Sequence, residues 1–142
     1  MKKLRNKRGV ILLTVICMLA AALAGCGSKL SDEFDEGEVE SAAQTMVKQI
    51  HDGELETVYN DTFAPIMYQG VTLEQLQTNV DYILERVGEY QSIEKVAVAG
   101  STDKDTEQEY AVAVVVAKYE KGKVQFTISF DTNMKCVGFY MK

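Results

Sequence analysis

Three cysteines, one histidine and seven tyrosines are the residues of this chain whose chemistry goes beyond packing and charge. A thiol beside an imidazole makes an activated nucleophile, and Cys136 with His51 is the one such pairing in the body of the chain. Alternation around Cys136 places Val137, Phe139 and Met141 on one strand face and turns Cys136 to the other. His51 meanwhile closes a helix beside Asp52, so nothing in the pattern brings the two together. Cys136 then reads as a small apolar strand residue and His51 as a charge complementing a helix C-terminus. One histidine and one remaining thiol cannot build a zinc site, phosphate-binding glycine loops are absent, and no metal or other cofactor is expected. Carboxylate–tyrosine pairs could supply an acid and a base, and Tyr59, Tyr68, Tyr82 and Tyr90 lie near Asp61 or Asp81. Asp81, however, follows the apolar Val80 by one helical step and is expected to face water. The same aromatics can instead line a ligand pocket, for which Tyr59, Phe63, Tyr82 and Phe126 are the candidates.

Cys26 stands in a different context. Residues 1–8 are basic, and residues 10–23 are apolar apart from Thr14. That stretch is too short to span a bilayer comfortably but suits the apolar region of a secretory leader. It ends in Leu23-Ala24-Gly25-Cys26, which resembles the lipobox of bacterial lipoproteins. Small side chains admit the peptidase to the backbone, and the thiol is the nucleophile that accepts diacylglycerol. The resemblance implies cleavage between Gly25 and Cys26, with Cys26 as the lipid-modified N-terminus. Two or more acyl chains hold a protein to a membrane where one binds only marginally. Cys17 leaves with the leader and Cys26 is acylated, so Cys136 has no partner for an intramolecular disulfide. The expected address is the extracytoplasmic face of the cell membrane.

Composition supports a folded domain and limits its partners. Among 142 residues, 46% are hydrophobic and 25% charged, which is globular rather than disordered. Five of the 15 bases and none of the 21 acids fall within residues 1–25. The remaining 117 residues therefore carry a charge of −11, which argues against nucleic acid as a partner.

The expected organisation is a leader over residues 1–25, an acidic tether over 26–37 and one α+β domain over 38–142. Asp32, Glu33, Asp35, Glu36, Glu38 and Glu40 make the tether acidic, at spacings that do not match an EF-hand loop. A helix over 38–51 follows from the apolar stripe Val39, Ala42, Ala43, Met46, Val47 and Ile50, and Asp52-Gly53 stops it. A short helix is expected over 55–60, then a connection over 61–70 containing Pro65. Thr72 and Gln75 form a capping box for a helix that reaches Val87 and stops at Gly88. From there the period becomes two. Strands are expected over 90–99, 109–120, 123–131 and 135–142, with a tight turn at Lys121-Gly122 and another at Thr132-Asn133.

Helices followed by a four-stranded meander make an α+β fold of about three helices packed on one antiparallel sheet. The second strand is apolar on both faces: Ala111, Ala113, Val115 and Ala117 on one, Val112, Val114 and Val116 on the other. Something must cover one of these two faces, or the sheet must curl over it, and another copy of the chain is a reasonable occupant.

The segments AAQTMVKQIHDGELETVYNDTF, GVTLEQLQTNVDYILERVGEYQSI and VQFTISFDTNMKCVGFYM resemble a bacterial domain of unknown function, family 3887, from about Ser41 to Met141. Such domains are similar to the nuclear-transport-factor-2-like superfold, in which helices on a curved sheet form a cone that often encloses a pocket. The family brings no established chemistry to carry over. The expected function is a lipid-anchored extracytoplasmic binding module without catalysis, taking a small-molecule or protein ligand or pairing with itself. The alternative is a small pocket enzyme of isomerase or cyclase type that uses an acid and a tyrosine.

Overall fold

The computed structural model describes residues 28–142. The leader, the Gly25–Cys26 junction and Cys26 itself lie outside the described residues. Four helices precede four strands, as α1 (Glu36–His51), α2 (Leu55–Thr62), α3 (Met67–Gly70) and α4 (Leu73–Val87), then β1 (Tyr90–Thr102), β2 (Glu109–Tyr119), β3 (Gly122–Phe130) and β4 (Cys136–Met141). The sheet is an antiparallel meander in the order β1-β2-β3-β4, and the fold is α+β. No helix among the described residues is long and apolar enough to cross a membrane.

Local chemistry explains the boundaries. Asp35 caps α1 by accepting from the Glu38 amide at 2.8 Å, so the helix starts inside the acidic run. Val39, Ala43, Met46, Val47 and Ile50 are its buried stripe. Gly53 ends it with a φ of +80°, a conformation that costs a residue with a Cβ far more. The capping box of α4 is complete, with Thr72 and Gln75 each bonded to the other's backbone. The connection between α2 and α4 contains a single helical turn, α3, which the proline-bearing stretch did not announce.

Register decides which residues the helices cover. Ala111, Ala113, Val115, Ala117 and Tyr119 of β2 align with Phe130, Ile128, Phe126, Val124 and Gly122 of β3. Directly paired residues share a face, and every member of this set except Gly122 belongs to the core formed with α1, α2 and α4. The opposite face carries Ala97, Ala99, Val112, Val114, Val116, Thr127 and Ser129. None of those seven belongs to the core beneath the helices.

Two sequence expectations change here. A register shift between Ser129 and Phe130 pairs Gly138 with the first and Cys136 with the second, so Val137 is the extra residue of a bulge. Cys136 therefore lies on the core face with Phe139 and Met141, and is fully buried. The second change concerns the tether. Ser28 bridges to Gly100 on the edge of β1, Phe34 is buried in the core, and the Ser31 hydroxyl donates to the Glu109 carboxylate. Residues 28–35 are thus part of the domain, with acids facing outward and one aromatic facing in.

Candidate functional site

The described residues bring one cluster of titratable groups together, and it includes a residue that the sequence did not single out. His51, at the end of α1, meets the inward-facing Tyr119 from β2 and Tyr90 from the start of β1. The Tyr119 hydroxyl oxygen lies 2.8 Å from His51 Nε2. The Tyr90 ring stacks on the imidazole at 4.1 Å between centroids, and Tyr119 meets it edge-on at 5.0 Å. Burial lowers the His51 pKa, and the neighbouring Asp52 only partly opposes that effect. Burial also raises the Tyr119 pKa, with Tyr90 adding to the effect. Both groups are consequently held neutral, and the Tyr119 hydroxyl shares a hydrogen bond with the neutral imidazole. His51 is therefore not the helix-terminal cation that its position suggested. Desolvation outweighs the attraction of Asp52.

The arrangement does little as acid–base machinery. Tyr119 is 2% exposed, its hydroxyl is already paired, and no carboxylate orients the imidazole from within the cluster. It closes one end of the core with polar atoms that satisfy each other.

The other candidates are dispersed. Tyr59 and Phe63 pack at 5.3 Å, Phe63 reaches Phe139 at 6.1 Å, and Phe139 reaches Phe126 at 6.3 Å. Three of the four pocket candidates thus join one aromatic chain, with Phe63 and Phe126 filling the core. Tyr82 stands apart, 57% exposed, with the Arg86 guanidinium 3.9 Å over its ring. Two shallow depressions open on the surface, one lined by Glu38, Ser41, Thr45, Gln49, Thr62 and Met134 among others, the second by residues of α4 and its cap. Neither is lined by any of the four aromatics.

The acid–tyrosine pairs do not form either. Tyr59 donates to the Val71 carbonyl at 2.8 Å and Tyr68 to the Tyr59 carbonyl at 3.0 Å. Asp81 accepts from Gln77 on the exposed side of α4. Cys136 donates its S–H to the Gly138 carbonyl at 3.3 Å, and burial pushes its pKa up to about 12. A thiol held protonated is no nucleophile. It pairs with Phe130 near the β3–β4 turn, whereas His51 sits against Tyr119 beside the β2–β3 turn. Among the described residues, no three His, Cys, Asp or Glu side chains converge as a metal site requires.

His51 makes stability depend on pH. Its folded pKa lies below the unfolded value, so the unfolded chain binds the extra proton as pH falls. Stability is full above the unfolded pKa, near 6.5, and declines as pH drops from there toward the lowered folded value. Urea midpoints between pH 8 and pH 5 should fall for the wild type, and His51→Gln should flatten that part of the profile relative to it.

Comparison with known proteins agrees with this architecture. The structure is similar to an NMR structure of a protein from Ruminococcus gnavus ATCC 29149, with a TM-score of 0.67 and 24% identity. The match covers 81% of this chain and 97% of that one, and at that identity it speaks for the fold alone. No curated protein matches the sequence. The family model described as "Protein of unknown function (DUF3887)" matches residues 43–139, a span from α1 to β4, and the chain belongs to that family.

Proposed function

We propose that this protein is a lipid-anchored extracytoplasmic interaction module without catalytic activity, held to the membrane through Cys26 and pairing with a second copy through the outer face of its sheet. The observation that carries the reading is that outer face. On it Ala97 is exposed and Ala99, Val114 and Val116 are half-buried around the buried Val112, with Lys95 opposite Val116 at the border, and none of these apolar residues belongs to the core beneath the helices. Thr127 and Ser129 continue this face across β3 as buried side chains, and Tyr140, paired with Thr127, is the exposed aromatic beside them. Charges stand at its margin, where Lys123 pairs with Glu94 at 2.6 Å.

A second copy suits the electrostatics. The chain beyond residue 25 carries −11, so two copies repel over most of their surfaces and can approach best through a neutral one. An isologous contact between two such faces would bury apolar area without confronting like charges. The architecture is also consistent with a nuclear-transport-factor-2-like reading, with helices laid on an antiparallel meander. The lipid anchor rests on the basic and apolar leader and on the Leu23–Cys26 motif.

Two measurements test the two halves of this reading. Cys26→Ser should remove the acyl mass from the mature N-terminus and release the protein from the membrane fraction. Unchanged mass and retention would overturn the anchor. In sedimentation velocity at micromolar to high micromolar concentration, the wild type should dimerise. Val114→Lys, at a half-exposed position, should weaken that dimer at least about tenfold, or ~1.4 kcal/mol, because the introduced charges face each other across the contact. A wild type that stays monomeric throughout would overturn the pairing.

A further inference from the structure

The folded domain begins almost at the proposed acylation site. Ser28 is already bound to the sheet, with its carbonyl accepting from the Gly100 amide at 2.8 Å. Gly100 is a position of close approach. A Cβ there would run into the Lys29 carbonyl and press on Leu30, so the segment lies directly against the strand. Ser31 is then pinned to Glu109 and Phe34 to the core, which leaves no slack between Ser28 and the start of α1. Between Cys26 and Ser28 stands one residue, Gly27. Two residue steps span at most about 7 Å.

We infer that the mature protein is not a domain on a leash but one seated against the bilayer, with the end bearing the β1–β2 and β3–β4 turns toward the lipid headgroups. This rests on the reading of Cys26 as the acylated N-terminus. Gly100 lies two residues from the end of β1, and Ala111 opposite it pairs onward with Phe130, the last residue of β3. Both hairpin turns therefore lie at the anchored end. At about 3.3 Å per residue, the nine or more residues of each long strand carry the β2–β3 turn and the His51–Tyr119 contact some 30 Å from it.

Covalent geometry, not charge, imposes this seating. Asp32, Glu33, Asp103, Asp105 and Glu107 are exposed at the anchored end and oppose adsorption to an anionic bilayer. With the strands running away from the membrane, the apolar sheet face is presented sideways, toward another copy anchored in the same leaflet.

The test uses the acylated full-length mature protein in vesicles of phosphatidylethanolamine and phosphatidylglycerol that contain a headgroup-nitroxide lipid as contact quencher. A fluorophore is placed on Lys104→Cys in the β1–β2 turn or on Lys121→Cys in the β2–β3 turn, while the buried Cys136 stays unlabelled. The label at 104 should be quenched several-fold more than the label at 121. Inserting about ten Gly/Ser residues between Gly27 and Ser28 adds roughly 17 Å of flexible reach and should erase most of the difference. Equal quenching at the two sites without the insert, on protein whose N-terminal peptide carries the acyl mass, would overturn the seating alone. Protein lacking that mass would overturn the anchor and the seating together.

Discussion

The fold depends on how small β2 is where it faces α1. Ala111, Ala113 and Ala117 leave room for a helix to lie close against the sheet, and Val39, Ala43, Met46, Val47 and Ile50 fill that space. Larger residues at these positions would have to lift α1 or deform the sheet, because neighbouring strands hold β2 in register along its whole length. The bulk absent from β2 is supplied by β3, whose Val124, Phe126, Ile128 and Phe130 lie beside it on the same face. Small and large residues on adjacent strands produce one continuous core, which must stand without a disulfide, since Cys136 is free and buried.

The two ends of that core are finished differently. At the end where Ser28 meets β1, both edges of the sheet are protected by chain that is not strand. Ser28 bridges to β1, while Phe63 bridges to Cys136 of β4 and the Ala64 amide donates to the Cys136 carbonyl at 2.8 Å. The opposite end is closed by His51 stacked under Tyr90 and bonded to Tyr119. With both ends closed and the helices covering one face, Ala97, Ala99, Val114 and Val116 are the apolar residues left partly exposed on the second face of the sheet.

Much of this was legible in the residues. The stripe of α1, the Thr72–Gln75 capping box and the change of period at Tyr90 fixed the order of helices and strands, because each is a local signal with a local cause. Cys136 was misplaced because one extra residue in β4 reverses the side-chain alternation, and an isolated strand pattern carries no mark of a bulge. Residues 28–35 looked like a solvated tether because acids dominate them. Asp35 followed three residues later by Glu38 was nonetheless the signature of a helix start, and the lone Phe34 before it had to be buried somewhere. Tyr119 carries no local mark of its role: its partner is 68 residues away, and only the folded register of β2 brings the tyrosine that follows Ala117 on the inner face to the end of α1.

The central claim is that the domain acts through its surface and holds no substrate in its interior. Native mass spectrometry of the domain over residues 28–142, purified without denaturation, tests it most directly. The account predicts dimers whose mass is twice that of the polypeptide, with nothing added. Monomers carrying a reproducible mass excess would contradict it, and the identity of that excess would name the ligand an enzyme or binding pocket had retained.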